Sequence, residues 1–317
     1  MWKKPDIEQA IKYFEKALEL EPKNKTSLRS LSMIIRTKET NSNEEKLKIA
    51  QKSLDYAKKA ISLDMKDSVS WYVYGNAYFY KAFIDKTQYN DLTFALSAYN
   101  KSQEKISKYK NPDLYYNRGV VHAYLENYEN AYNDFQIANS IDETLKSNEI
   151  CTNILSTVST TCKLVKNQCG LKPKKLAQIV ATIPSNLKQD VKYTINSTSK
   201  LVEGENKGKL ITGKIVQAVK SCFEVPICLV CVDYEGEFVC LSLYNISKDF
   251  LQTINYMVST FVVLDPVVKR IKMKDNDSGK VLEYPCIQVS DLQSLLVDGK
   301  FCSGFASSAT LNSTFFN

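Results

Sequence analysis

Histidine is almost absent: the 317-residue chain has one, His122. That removes most imidazole-based acid–base and metal chemistry. No apolar run reaches the roughly 18 residues a membrane span needs, and the opening MWKKPDIEQ lacks the apolar core of a secretory signal. An intracellular chain without a membrane partner is the expectation, and its nine cysteines then read as thiols. Phosphate-cradling Walker loops, dinucleotide-binding glycine fingerprints and nucleophile elbows are all missing. Cys228 and Cys231 form a lone CxxC in a strand-like apolar run, where residues three apart face opposite sides, so they read as core residues rather than metal ligands. These gaps point away from an enzyme, and no cofactor and no metal are expected.

Acid is missing from one place in particular. The chain carries a net charge of +7, yet between Glu149 and Asp190 there are six lysines and no carboxylate. Residues 1–150 hold 23 basic against 21 acidic side chains, and residues 190–317 hold 13 against 14. The excess therefore sits in the stretch between two balanced halves. Cations without neighbouring acids suit contact with phosphates.

The first half repeats itself. IEQAIKYFEKALELEP places Ala10, Phe14, Ala17 and Pro22 at the spacing of the second helix of a tetratricopeptide repeat. Ala131, Phe135 and Ala138 recur at that spacing, with looser versions at Ala95, Tyr99 and Ser102 and at Ser53, Ala57 and Ala60. The first-helix signature is carried by Trp71, Tyr74, Gly75 and Tyr78, and more loosely by Tyr115, Gly119 and His122. Small residues let paired helices approach, and large ones fill the holes between stacked pairs. Polar insertions, TKETNSNEEK and AFIDKTQYND, stretch two of the repeats. The chain opens directly on a second helix, so its first repeat lacks a first helix; a shortened start, or a partner covering residues 7–18, is expected.

In such an array the first helices line a concave groove. Repeat counting puts Arg29, Met33 and Arg36 there from one repeat, Tyr72, Asn76, Phe79 and Tyr80 from the next, and Asp113, Tyr116, Asn117 and Val120 from the last. A positive end, an aromatic and amide middle, and a negative end would suit an extended peptide: amides clamp its backbone and the charges pair with opposite charges.

From residue 190 the pattern becomes β-branched and partly alternating, with DYEGEF reading as a hairpin turn and DNDSGK as a second turn. About five strands in this length suggest a small Greek-key barrel of OB type. The expected class is α+β and multidomain. Repeats span 1–148, a basic helical connector 149–189, the OB-fold 190–302, and a flexible, uncharged tail 303–317.

The stretches SLRSLSMIIR, SWYVYGNAY, ALSAY, NPDLYYNR and the strands from 209 to 246 together resemble the tetratricopeptide repeat protein 5 family over almost the whole chain. The resemblance implies a non-enzymatic adaptor that recognises the N-terminal Met-Arg-Glu of nascent tubulin at the ribosome. Such adaptors promote tubulin messenger decay through a decay adaptor and a deadenylase complex. It implies peptide contacts by Arg36 and Asp113, and ribosomal RNA contacts by Lys172 and Lys174, with Lys175 adjacent. It also implies nuclear scaffolding of acetyltransferase coactivators, and hence residence in both cytoplasm and nucleus. Family members begin several helical hairpins earlier.

Overall fold

The computed structural model describes residues 6–84, 88–105, 111–184, 192–221, 223, 225–275 and 278–306. Its residues cluster into two compact units, one holding 1–125 and 133–145, the other 126–132 and 146–309.

The first unit is built of helices α1 (Ile7–Leu20), α2 (Lys25–Ile34), α3 (Asn43–Leu63), α4 (Ser68–Ala82), α5 (Gln88–Glu104) and α6 (Pro112–Tyr124), and takes in most of α7 (Tyr128–Ile141). Local chemistry sets their starts. Asp6, Asn24 and Asn111 each accept an orphan backbone N–H of the helix they precede, at 3.0, 2.9 and 3.0 Å, and Pro112 opens α6 where its missing N–H costs nothing. Packing follows the small–large pattern. An added Cβ on Gly75 of α4 would lie 2.6 Å from the Tyr99 ring of α5, and one on Gly119 of α6 would lie 3.2 Å from the Phe135 ring of α7. Ala57, Ala60, Ala95, Ala131 and Ala138 are fully buried beside them. Helix α1 rests on α2 without burying any residue fully. Of the polar insertion TKETNSNEEK, residues 38–42 link the helices as expected, while Asn43–Lys46 form the first turn of α3.

The second unit is a ten-stranded sheet with helices α8 (Ser147–Lys166) and α9 (Pro173–Val180) against it. The strands are β1 (Thr194–Ile195), β2 (Gly204–Glu205), β3 (Lys209–Val219), β4 (Ile227–Asp233), β5 (Phe238–Leu243), β6 (Thr260–Leu264), β7 (Val267–Lys274), β8 (Val281–Val289), β9 (Leu295–Val297) and β10 (Lys300–Phe301). They lie in the order β10-β9-β6-β3-β4-β5-β8-β7-β2, with β1 parallel to β3 and β5 parallel to β8. The run TFVVLDPVVKRIKM, which reads as one strand, is two. Asp265 takes a left-handed φ of 47° and Pro266 has no N–H, so pairing stops there. β6 then pairs with β3 while β7 pairs with β8. The sheet wraps round through this two-residue link rather than through a closing ladder among the described residues. That kink, with four two- or three-residue strands, is why about five expected strands became ten. Inside the wrap lie Ile211, Ile215, Leu229, Cys231, Leu241, Phe261 and Ile287, each at most 1% exposed.

The ends of this unit depart from expectation in two places. The stretch 149–189 is no free connector in its described part, for α8 buries Cys151, Ile154, Val158 and Cys162, and the Cys162 thiol donates to the Glu283 carbonyl of β8. Residues 303–306 are not a loose tail. Phe305 stacks edge-on to Phe250 with ring centroids 5.5 Å apart, its carbonyl accepts the Ser247 N–H at 2.8 Å, and Ala306 bridges to Ile246. The remainder of the expected tail lies outside the described residues. Cys228 and Cys231 are buried thiols, as their positions in a strand implied.

Candidate functional site

Arg36 stands in a short 3-10 turn (Ile35–Thr37) at the end of α2, where a cation meets the negative end of the helix. Its Nε donates to the Ser32 carbonyl at 3.0 Å and its Nη1 to the Asn76 carbonyl at 2.7 Å. A guanidinium carries five donors, so this anchoring leaves three for a ligand. Burial pulls its pKa down, opposed by the hydroxyls of Tyr99, Tyr72 and Tyr80.

Asn76 is the centre of the array. Its Oδ1 accepts from the buried Tyr99 hydroxyl at 2.7 Å and from Asn117 Nδ2 at 3.1 Å. Asn117 Nδ2 also reaches the Tyr72 hydroxyl, at 3.4 Å. α2, α4, α5 and α6 thus meet in one hydrogen-bonded set. The Tyr72 hydroxyl is pushed up first by burial and opposed by its hydrogen bond with Asn76; the nearby charges of Asp113 and Arg36 then act on it with opposite sign. Asp113, in the first turn of α6, is open to solvent. Partial desolvation, then the like charge of Asp142, hold its carboxyl above the usual carboxylate range. Its carboxylate meets no cation among the described residues.

The other expected groove residues divide. Met33 is 40% exposed. Tyr116 is half-buried and stacks edge-on against Phe135 at 5.4 Å. Phe79 does not line a groove: it is 1% exposed and packs edge-on against Phe83 at 5.5 Å. Val120 is likewise buried. The repeat count was off by part of a turn at the end of each helix, where the groove-facing and core-facing stripes adjoin. Asn76 is buried too, so its amide organises neighbours rather than offering a free clamp. Sequence reasoning missed Tyr99 as part of the site, having placed it only as a packing residue of a second helix. It also missed Arg118, which pairs with Asp134 through Nε–Oδ2 at 2.8 Å and Nη2–Oδ1 at 2.6 Å and fixes α6 to α7.

Lys172, Lys174 and Lys175 are all exposed at the start of α9, with Lys172 at its N-cap position. None meets a carboxylate among the described residues.

Stacked helical hairpins followed by a wrapped β domain define a tetratricopeptide-repeat interaction adaptor with a C-terminal OB-fold. A family profile described as "Tetratricopeptide repeat protein 5 OB fold domain" matches residues 192–307, and one described as "Tetratricopeptide repeat" matches 2–24 and 112–144. Tetratricopeptide repeat protein 5 of Mus musculus is 29% identical over 314 residues, covering 94% of this chain and 70% of the relative; that of Homo sapiens is 28% identical with the same coverage. The chain is thus similar to the tetratricopeptide repeat protein 5 family over nearly its whole length, with the match to that family's OB-fold domain at residues 192–307. Among solved structures, a thermophilic TPR protein of Thermus thermophilus, TTC0263, aligns with a TM-score of 0.39 at 18% identity, covering 55% of this chain and 88% of that one. YrrB, described as a TPR protein with an unusual peptide-binding site, aligns with a TM-score of 0.36 at 17% identity, covering 53% and 78%.

Proposed function

We propose that this adaptor reads the N-terminal Met-Arg-Glu of nascent tubulin at the ribosome and promotes decay of the tubulin messenger through a decay adaptor and its deadenylase. Asp113 takes the arginine of the tripeptide and Arg36 its glutamate. Lys172, Lys174 and Lys175 hold ribosomal RNA phosphates. Similarity to the tetratricopeptide repeat protein 5 family supports the reading. The observation that carries it is a carboxylate, Asp113, that meets no cation among the described residues and a part-anchored guanidinium, Arg36, both close enough to Tyr72 to act on its hydroxyl. Charge-assisted hydrogen bonds of this kind contribute about 1.5–3 kcal/mol each. The work is cytoplasmic; a nuclear role as scaffold for acetyltransferase coactivators is the second activity the family carries, and it needs no charge-selective groove.

The test is capture of ribosomes stalled just after a tubulin N-terminus has emerged, with Met-Arg-Glu intact or scrambled. Selective capture of the intact chain is expected. Asp113→Ala should remove the selectivity while salt-sensitive ribosome affinity persists. Lys172→Glu with Lys174→Glu should weaken capture of both and reduce the salt slope by about 2, one unit per phosphate contact. Equal capture of intact and scrambled chains would refute peptide reading, and unimpaired function in Asp113→Ala would leave the nuclear scaffold.

A further inference from the structure

The outer face of β4, β5 and β8 is closed. Cys228, Val230, Cys240, Tyr284 and Cys286 on it are all buried, with α8 packed over those strands. A different surface of this domain is open, the outer edge of β7.

β2 covers only the start of β7, pairing Gly204 with Val268 and Glu205 with Val267. The whole of β7 pairs with β8 on its other side. Backbone direction alternates along a strand. The Pro266 carbonyl accepts from Asn206 on the β2 side, and the Arg270 N–H points to Glu203 Oε1 on that side at 3.4 Å. The even-numbered residues of β7 therefore turn their N–H and C=O groups outward. For Lys272 and Lys274 those groups have no partner among the described residues. β8 offers a check: Glu283, opposite Lys272, must point away from β7, and its carbonyl does reach Cys162 of α8.

The same alternation puts the side chains of Val268, Arg270, Lys272 and Lys274 on one face. Arg270 and Lys272 share one carboxylate, Glu283, at 3.5 and 3.6 Å. Lys274 meets none among the described residues. The nearby acids are already engaged: Glu203 on the Arg270 N–H, Glu237 on the Ser199 N–H at 2.7 Å, and Asp275 on the Ser278 hydroxyl at 2.5 Å. At the β2 end of the edge opens a cleft of about 260 Å³ whose apolar lining is Leu201, Phe238, Val268 and Pro285.

We propose that the free edge of β7 is a strand-addition site for an acidic, extended segment of another protein. The segment pairs its backbone with Lys272 and Lys274, sets carboxylates beside Arg270 and those two cations, and seats one apolar side chain in the cleft. Strand addition draws affinity from the main chain and specificity from alternate side chains. Lysines on a bare edge also discourage sheet-to-sheet aggregation between copies. That device repels a second copy of the same cationic edge, and leaves an acidic strand as the complement. The inference concerns the OB domain and stands independently of the groove reading.

The test uses the full chain and a fluorescein-labelled Glu-Thr-Glu-Thr-Glu-Thr-Leu peptide, which puts three carboxylates and one apolar side chain on a single face of the strand, followed by anisotropy. Saturable one-to-one binding is expected. Methylating alternate backbone nitrogens of the peptide should abolish it, because those amides lose their protons. Lys272→Glu with Lys274→Glu should weaken it by about tenfold or more, with the thermal melt showing that the variant folds. Lys272→Ala removes the ammonium alone, whereas Lys272→Pro removes the outward N–H as well and leaves the β8 ladder intact, so it should weaken binding further than Lys272→Ala. Equal binding of the methylated peptide would show charge adhesion without strand pairing and overturn the proposal. Failure of the unmodified peptide to bind, or full binding by the charge-reversed variant, would also overturn it.

Discussion

Gly75→Ala tests how the repeats are packed. In an open helix this change stabilises by about 0.8–1.0 kcal/mol, because alanine has the higher helix propensity. In α4 the new Cβ would sit 2.6 Å from Tyr99 Cδ1 and Cε1, against an optimum of roughly 3.5–4.0 Å for carbon pairs. The ring must therefore move by about 1 Å. It has no room to do so: Tyr99 is 0% exposed and its hydroxyl is held by Asn76 at 2.7 Å. Overpacking costs about 1–3 kcal/mol, and a wedged, hydrogen-bonded ring belongs at the upper end. Subtracting the propensity gain leaves a net loss of about 2 kcal/mol. Gly119→Ala is the control. Its Cβ would meet Phe135 at 3.2 Å, a milder contact that the propensity gain offsets to near zero. Thermal melts of both variants beside the parent provide the assay, with a fall in Tm of several degrees for Gly75→Ala alone. A Gly75→Ala chain as stable as the parent would refute the claim that Tyr99 is fixed. Because Tyr99 also holds Asn76, and Asn76 holds Arg36 and Asn117, peptide affinity should fall in the same variant.

Peptide binding should also depend on pH through Asp113. Its carboxyl is held above the usual range in the free protein, so it protonates sooner on acidification. Pairing with an arginine favours the ionised form, and affinity should fall as pH drops toward that raised pKa. Titration calorimetry across the acidic range should show this, and Asp113→Asn should flatten the profile without lowering Tm, since it removes a charge that lies near the like charge of Asp142. Glu126→Ala should destabilise the second unit by about 3 kcal/mol in urea unfolding: the carboxylate is 2% exposed and accepts from Ser242 at 2.6 Å, Tyr244 at 3.0 Å and Gln288 at 2.6 Å, three charge-assisted bonds that truncation removes together. A chain beginning at residue 146 lacks Glu126 altogether and should unfold at least as readily.

What was legible in the sequence follows the range of the interactions concerned. Helix pairs announce themselves through small and large residues at fixed short spacing, so Gly75, Gly119, Ala131 and Phe135 were readable. Phe79 was misplaced because one residue along a helix turns a side chain by about 100°, and the groove and core stripes adjoin there. Tyr99 and Arg118 act across helices, through partners 23 and 16 residues away, and a local spacing rule carries no sign of that. The β domain was legible as a class from its β-branched runs, but the split at Asp265 and Pro266 shows only when two strands are seen pairing with different neighbours. Glu126 is the least readable of all. It lies 116 residues from Ser242 and belongs to the β unit although it follows directly on a repeat helix.

Burial dictates where charge can sit in the second unit. On the sheet face that packs against α8, Cys228, Val230, Cys240 and Cys286 are buried, and the buried carboxylate set against Ser242 and Gln288, Glu126, is held by hydrogen bonds. A domain sealed in this way has little freedom to carry a phosphate-binding surface on those strands. Cations are cheap only where water or a partner solvates them, and α9 meets that condition, with Lys172, Lys174 and Lys175 exposed and no carboxylate competing among the described residues. The acid-free stretch and the buried outer sheet are then two sides of one arrangement. The helical segment that covers the strands is followed by the one that presents three lysines with no carboxylate among them, whereas Arg270 and Lys272 of β7 share Glu283, so α9 is the better phosphate contact of this unit. Neutralising Lys172 and Lys174 should therefore remove salt-dependent RNA affinity while leaving the melt of the β unit unchanged. A substitution that loosens α8, such as Ile154→Ala at a fully buried position, should instead lower stability by about 2–5 kcal/mol without altering the salt slope of whatever binding remains.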